Sequence, residues 1–239
     1  TLLAQTLARF LDVPIVLTDA TTLTEAGYVG EDVDHLVQQL FEASGHDAER
    51  AARGIVYIDE VDKIARKNSH QTVARDVSGE GVQQALLRLV EGKVSNVVVQ
   101  GGRKLPSPDT VAVDTSQVLF ICAGSFEGLE EIVARRVGEK RLGFGADVQP
   151  TAELSRQVTH EAIPEDLEHF GLIPELIGRL PVISALDDLV EDDLVDILVQ
   201  PRNSLVRQYT RMLRMDDVEL TFTDEALRAV ARQSFNFGS

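Results

Sequence analysis

Residues 55–60 read Ile-Val-Tyr-Ile-Asp-Glu, a run of β-branched and aromatic residues that ends in two carboxylates. A run this apolar predicts a strand in the middle of a parallel sheet, where both faces of the strand are buried. Open α/β sheets bind their ligands outside the carboxyl ends of the strands, which is where Asp59 and Glu60 would lie. The stretch therefore predicts an α/β fold with two acids at its ligand-binding edge.

Two adjacent acids directly after a buried strand have the form of a Walker B element. In that arrangement Asp59 would hold Mg²⁺ through a water, and Glu60 would polarise the water that attacks the γ-phosphate of ATP. The alternative interpretation is an ordinary core strand that runs into an acidic turn. The rest of the chain decides between the two.

Helix and strand patterns alternate along most of the chain. Apolar residues recur at helical spacing over residues 1–11, 33–41 and 82–90, and short apolar runs predict strands at residues 15–17 and 118–121. Residues 97–99 and 111–113 flank a Gly- and Pro-containing stretch, which predicts a hairpin with a long tip. The order of these elements favours a parallel sheet with helices on both faces.

The pattern becomes mostly helical after about residue 189. Thr223 is a predicted N-cap for the last helix, and residues 218–222 are a candidate short strand. We predict a large domain over residues 1–186 and a smaller, mostly helical domain over residues 187–239. The acidic run from Asp187 to Asp193 is the expected linker.

The composition restricts the function classes. The 239-residue chain has a formal net charge of −16, which disfavours nucleic acid or an anionic membrane as its main partner. Cys122 is the one cysteine, so an internal disulfide and a cysteine-based zinc site are excluded, and a reducing cytoplasm is favoured. No apolar stretch is long enough for a membrane span. The chain opens at Thr1 directly in a helical pattern, and we expect that residues upstream are missing.

Five segments resemble the ClpX family, the AAA+ unfoldase rings that feed the ClpP peptidase. They are Gly-Tyr-Val-Gly-Glu-Asp-Val at 27–33, Tyr-Ile-Asp-Glu-Val-Asp-Lys-Ile at 57–64, Arg-Asp-Val-Ser-Gly-Glu-Gly-Val-Gln-Gln-Ala-Leu-Leu at 75–87, Gly-Phe-Gly-Ala at 143–146 and Gly-Leu-Ile-Pro-Glu-Leu-Ile-Gly-Arg-Leu-Pro-Val at 171–182. The resemblance implies an AAA+ P-loop ATPase that uses ATP and Mg²⁺, forms a homo-hexamer and threads tagged or unfolded polypeptides into a ClpP-type peptidase.

The resemblance also assigns nucleotide-site residues. Thr1 stands where the Thr of a Walker A motif would be, at the start of a helix, and its hydroxyl would bind Mg²⁺ beside Asp59. Arg179 matches the arginine finger, which reaches the γ-phosphate bound to a neighbouring subunit. Ser125 lies near the expected position of a sensor residue. For Thr1 and for Arg179 the alternative is a purely structural role at a helix end.

Three further loops match segments that grip substrate in the family, and a fourth matches the segment that docks on the peptidase. The exposed aromatic and apolar side chains in two of them are typical of surfaces that contact a partner. In the third loop Leu105 replaces the His of the family's Arg-Lys-His motif. The residues are Gly27, Tyr28, Val29 and Gly30; Arg75, Asp76, Val77 and Ser78; Arg103 and Lys104; and, for docking, Leu142, Gly143 and Phe144.

Two alternatives stay open at this point. An HslU-type unfoldase also carries Gly-Tyr-Val-Gly, although the run at 75–87 and the Leu-Gly-Phe loop favour ClpX. A non-hydrolysing ring scaffold is the other alternative, because the Walker A Lys and the second sensor Arg of the family are not within the sequence. The presence of Asp59, Glu60 and Arg179 argues against a scaffold.

Overall fold

The computed structural model describes residues 1–24, 31–66, 79–99, 110–141, 160–187 and 189–237. The chain folds into two compact units, Thr1–Ala185 and Leu186–Ser239. The predicted domain boundary, between residues 186 and 187, lies next to this division.

The first unit mixes helices with short strands, which confirms the α/β fold class. Its helices are α1 (Leu2–Leu11), α2 (His35–Ala43), α3 (Ala48–Ala51), α4 (Glu80–Val90), α5 (Leu129–Arg141), α6 (Pro164–Phe170) and α7 (Pro174–Arg179). Its strands are β1 (Ile15–Asp19), β2 (Leu23–Thr24), β3 (Glu31–Asp32), β4 (Ile55–Asp59), β5 (Val94–Val98), β6 (Thr110–Asp114) and β7 (Leu119–Cys122). A 3-10 turn, Val61–Ile64, follows β4 directly.

The run that opened the sequence analysis is the middle strand of a parallel sheet. Strand β4 pairs in parallel with β1 on one side and with β7 on the other. Its residues 55–58 are all buried, which explains why the run carries no charged residue before Asp59. Asp59 is in register with Asp19, the last residue of β1, so the carboxyl ends of the two strands lie side by side.

Helix α2 supplies much of the apolar layer against this sheet. Leu36, Val37, Leu40 and Phe41 are each at most 3% exposed, and their spacing places them on one helical face. Each side chain of this size contributes about 1.5–3 kcal/mol when it is fully buried. The site at the sheet edge therefore lies on a tightly packed support.

The predicted hairpin is confirmed as an antiparallel pair, β5 with β6. The strands begin and end a few residues from the predicted bounds, and Val97 and Val113 are the buried members of the pair. Residues 100–109, between the two strands, lie outside the described residues.

A partly buried ion pair joins α5 to α6, the helices on either side of residues 142–159. The Arg136 guanidinium donates to both carboxylate oxygens of Asp166, with a shortest distance of 2.8 Å, and Asp166 also accepts from the Ile163 N–H. Burial by itself would raise the pKa of Asp166, but these hydrogen bonds outweigh it and lower the pKa. The carboxylate therefore stays ionised and holds the two helices together.

The second unit contains α8 (Glu191–Val199), α9 (Leu205–Arg214) and α10 (Asp224–Phe237). Thr223 caps α10 as predicted, since its hydroxyl accepts the Ala226 N–H at 3.2 Å. The linker prediction was too long, because Asp193 lies in the first turn of α8 and accepts the Val190 N–H at 3.0 Å. Acids are favoured there by the helix dipole.

The strand predicted at residues 218–222 is wrong. These residues are neither strand nor helix. An extended run becomes a strand only when another strand pairs with it, and no partner strand lies in the described part of this unit. Among the described helices, none is long and apolar enough to cross a bilayer.

Candidate functional site

Thr1 and Asp59 come together at the carboxyl edge of the sheet. The Thr1 hydroxyl donates to Asp59 Oδ2 at 3.2 Å, although 58 residues separate the two in sequence. Within the described residues the Thr1 hydroxyl makes no capping bond to α1, the helix that it precedes. The observed partner of the Thr1 hydroxyl is therefore the acid at the end of β4, and the role of Thr1 in binding a cation stays a prediction.

Tyr57 supports the same carboxylate. Its phenol donates to Asp59 Oδ2 at 3.3 Å. Burial raises the pKa of Tyr57, and the charge of Asp59 raises it further, so the phenol stays protonated and remains a donor. Two hydroxyls thus fix the orientation of one carboxylate.

This pair of groups suits a hard cation bound together with phosphates. A hydroxyl and a carboxylate are the oxygen ligands that Mg²⁺ prefers, and Mg²⁺ is usually held by one or two protein groups and by substrate phosphates. No cluster of three or more His, Cys, Asp or Glu side chains that could hold a metal occurs in the described ranges. Thr1 and Asp59 thus offer the kind of oxygen ligands that suit a cation bound together with phosphates.

Glu60 has a strained backbone. Its φ of 55° and ψ of 32° are left-handed, which costs a residue with a side chain about 1–2 kcal/mol. Neighbouring hydrogen bonds hold it there: its own N–H donates to Asp59 Oδ1 at 3.0 Å, and the Val61 N–H donates to the Ala123 carbonyl at 2.9 Å. The side chain is exposed beside Asp59. Strain of this kind is concentrated at functional sites.

A buried acid that the sequence analysis did not select lies behind this edge. Asp62 Oδ2 accepts from the Ser125 hydroxyl at 3.2 Å and pairs with the Lys63 ammonium at 3.1 Å. The hydrogen bond between Lys63 and Asp62, together with the negative charge of Asp62, raises the pKa of Lys63. Ser125, the candidate sensor, thus has Asp62 as its described partner. The sequence signal was an acid two residues after Glu60, but its burial could not be read from the pattern.

Gly124 allows this close approach. A Cβ atom there would lie 2.2 Å from Asp62 Oδ1, a buried oxygen that has no hydrogen-bond partner among the described atoms. Any side chain at residue 124 would therefore push the loop after β7 away from Asp62.

Replacing Gly124 with Ala should lower the free energy of unfolding by about 1–3 kcal/mol, the range for overpacking a closed site. Gly178 is the matched control, because a Cβ atom there would meet no heavy atom within 4 Å. Gly178→Ala should leave stability unchanged or raise it by up to about 1 kcal/mol, since Ala favours helix. Chemical denaturation measures both, and equal effects of the two substitutions would contradict the predicted clash.

Arg179 is not part of the cluster formed by Thr1, Asp59 and Glu60. It is the last residue of α7, and its guanidinium pairs with Glu91 at 3.0 Å. Both side chains are roughly half exposed, and exposed ion pairs contribute only about 0–1 kcal/mol. A phosphate group could therefore displace Glu91 from Arg179 at little cost.

The remaining predicted site residues lie outside the described residues. They are Gly27, Tyr28, Val29, Gly30, Arg75, Asp76, Val77, Ser78, Arg103, Lys104, Leu142, Gly143 and Phe144. The segment that contains Tyr28 is flanked by β2 and β3, which pair in parallel. These assignments stay predictions.

Comparison with known proteins gives the family. Residues 1–183 match the AAA domain (Cdc48 subfamily). The chain belongs to the AAA family. It is also 48% identical over 237 residues to the ATP-dependent Clp protease ATP-binding subunit ClpX of Treponema denticola. That alignment covers 99% of this chain and 57% of the relative, so the chain spans little more than half of the relative's length. The predicted resemblance to the ClpX family is confirmed.

Proposed function

We propose that this chain is the ATP-hydrolysing core of a ClpX-type protein unfoldase. The observation that carries the proposal is the Thr1 hydroxyl on Asp59 at 3.2 Å, with the strained Glu60 next to it at the sheet edge. This edge is where α/β folds bind ligands. The similarity to a Clp protease ATP-binding subunit supports ATP as the ligand.

In this proposal each residue has a separate task in phosphoryl transfer. Thr1 and Asp59 would hold Mg²⁺, which would neutralise charge that develops on the phosphates. Glu60 accepts a proton from the attacking water. Arg179 leaves Glu91 and contacts the γ-phosphate bound to the next subunit of a homo-hexamer, so each site is completed by its neighbour.

Substrate binding in the pore and docking on the peptidase are assigned to loops outside the described residues. Tyr28 and its neighbours, with residues 75–78 and 103–104, would contact a tagged or unfolded polypeptide in the pore of the ring. Residues 142–144 would dock on a ClpP-type peptidase. The strong acidity of the chain fits a protein ligand better than a nucleic acid or an anionic membrane. The single cysteine favours a reducing cytoplasm as the compartment.

A non-hydrolysing scaffold has less support. A scaffold has no need of a second acid beside Asp59 at the ligand-binding edge or of an arginine finger. Glu60 and Arg179 occupy the positions that these two roles require in the proposal. Nothing in the described residues favours the HslU-type alternative over the ClpX type.

Replacing Tyr28 with Ala should separate hydrolysis from unfolding. The aromatic ring would contact the polypeptide and not the phosphates, so ATPase activity should stay within a few-fold of the parent while degradation of a folded, tagged substrate fails. Both rates are measured on the natural full-length protein with a ClpP-type peptidase, and co-sedimentation with the peptidase serves as the control for assembly. A parallel loss of ATPase activity would assign Tyr28 to the packing of its own domain and would contradict the pore role.

A further inference from the structure

Gln83 is a polar side chain buried in the apolar core of the first unit. It lies on α4 and is fully inaccessible to solvent, between the buried residues Val82 and Leu86 of the same helix. Its amide nitrogen donates to the Ile64 carbonyl at 2.8 Å and to the Gly171 carbonyl at 3.4 Å. Its amide oxygen accepts the Ile173 N–H at 2.7 Å. One side chain thus satisfies backbone groups of two distant segments, as buried polar groups must.

The first segment that Gln83 bonds belongs to the Walker B edge. Ile64 is the last residue of the 3-10 turn that begins directly after Glu60. The same turn contains Asp62, which holds Ser125. A displacement of Ile64 would therefore move the backbone that directly follows Asp59 and Glu60.

The second segment leads to Arg179. Residues 171–173 directly precede α7, and Ile173 is its N-cap, so the Gln83 oxygen holds the N-terminal end of the helix that ends at Arg179. At the other end Glu91, the C-cap of α4, holds Arg179 itself. Helix α4 therefore contacts α7 at both ends. Gln83 forms a buried hydrogen bond at the N-terminal end of α7, and Glu91 forms an exposed ion pair at its C-terminal end.

The backbones of the two segments also touch. The Arg66 N–H donates to the Gly171 carbonyl at 2.9 Å. Gly171 has a φ of 123°, and a Cβ atom there would lie 2.4 Å from the Arg66 carbonyl oxygen. Gln83 reinforces this contact from the side, because it bonds the same Gly171 carbonyl.

We propose that Gln83 is a positioning residue for Arg179. It fixes the start of α7 relative to the turn after Glu60, so that Arg179 is presented to the neighbouring subunit at a set distance from its own sheet edge. Because Glu91 releases Arg179 easily, Gln83 is the contact that keeps α7 in place when the guanidinium turns to a phosphate. The inference rests on the role proposed above for Arg179.

The neighbouring residue on α4 provides the matched control. Gln84 is exposed, and its amide donates to Glu80 Oε1 at 3.1 Å on the helix surface. The experiment compares Gln83→Met with Gln84→Met in the full-length protein, each with Arg179 intact and with Arg179→Ala, and measures kcat and KM for ATP. Circular dichroism and the assembly mass of each variant report folding and ring formation.

With Arg179 intact, we expect Gln83→Met to lower kcat by about 10²-fold, the loss that a misplacement of roughly 1 Å can cause, and to leave KM within a few-fold. Gln84→Met should match the parent. In the Arg179→Ala background, Gln83→Met should lower kcat by less than about 2-fold further. A residue that acts only through Arg179 has no effect once Arg179 is absent.

Two other outcomes would contradict either the inference about Gln83 or the proposed role of Arg179. If the Gln83→Met loss adds in full to that of Arg179→Ala, Gln83 acts elsewhere and this inference fails while the role of Arg179 stands. If Arg179→Ala alone retains the parent kcat, the proposed function of Arg179 fails and the inference fails with it. Should Gln83→Met not fold, Gln83→Asn takes its place. That variant keeps a neutral amide but is one methylene shorter, so it cannot hold both segments as Gln83 does, and it must show the same dependence on Arg179.

Discussion

Glu60→Gln should keep ATP binding and lower kcat by about 10²-fold or more, within the range for removal of a general base. The amide has the size of the carboxylate but cannot take a proton from water. Asp59 and Thr1, which would bind the cation, are unchanged. Steady-state ATPase activity and nucleotide affinity of the natural full-length protein are the measurements.

Glu49→Gln is the control for this substitution. Glu49 is an exposed acid in the first turn of α3 on the same unit, so the same chemical change there should leave kcat unaffected. Turnover of Glu60→Gln within a few-fold of the parent would remove Glu60 from the site. A large loss of nucleotide affinity would instead assign it to binding.

Arg179→Ala should lower kcat by about 10³-fold or more, the effect of losing an arginine finger, and the loss should be repaired by a neighbour. A subunit with Arg179→Ala retains its Glu60, so a neighbour with intact Arg179 can complete its site. A Glu60→Gln subunit has lost a group that acts within its own site. Co-assembly of the two inactive variants should therefore restore hydrolysis at interfaces that join an intact Glu60 to an intact Arg179.

Arg50→Ala is the matched control, since Arg50 is likewise an exposed Arg in an ion pair, with Asp12 at 3.1 Å. It should keep the parent kcat. The mixing experiment measures ATPase activity against the ratio of the two inactive variants, with mixed rings verified by mass. No recovery at any ratio would mean that Arg179 acts within its own subunit or has a structural role.

The position of Asp59 and Glu60 at the carboxyl end of β4 could be predicted, because the local sequence pattern determines it. An unbroken apolar run must be buried on both faces, so β4 had to be a central strand, and its end had to lie at the ligand-binding edge. The resemblance to the ClpX family placed Thr1 beside Asp59, and the two side chains are hydrogen-bonded, while the cation-binding role assigned to them stays a prediction. The short strand at residues 218–222 was wrong because strand formation depends on a partner, which local sequence does not reveal.

The burial of Gln83 and Asp62 could not be predicted from the sequence, for a different reason. A Gln on an amphipathic helix reads as solvent-facing, and only the packing of α4 against the Gly171 segment makes residue 83 the buried member of the Gln83–Gln84 pair. Asp62 reads as one acid in an acidic turn until the loop after β7 covers it. Burial of a polar group is a property of the assembled fold, so hydrophobic periodicity does not report it.

The contact between Gly171 and Arg66 restricts how this region of the protein can vary in evolution. Even the smallest side chain at residue 171 meets main-chain atoms of Arg66, which, unlike the end of a long side chain, cannot rotate away. The positive φ of Gly171 adds a second penalty for any residue with a Cβ. Residue 171 is therefore expected to stay a glycine, because any side chain there would require the backbone at Arg66 to shift.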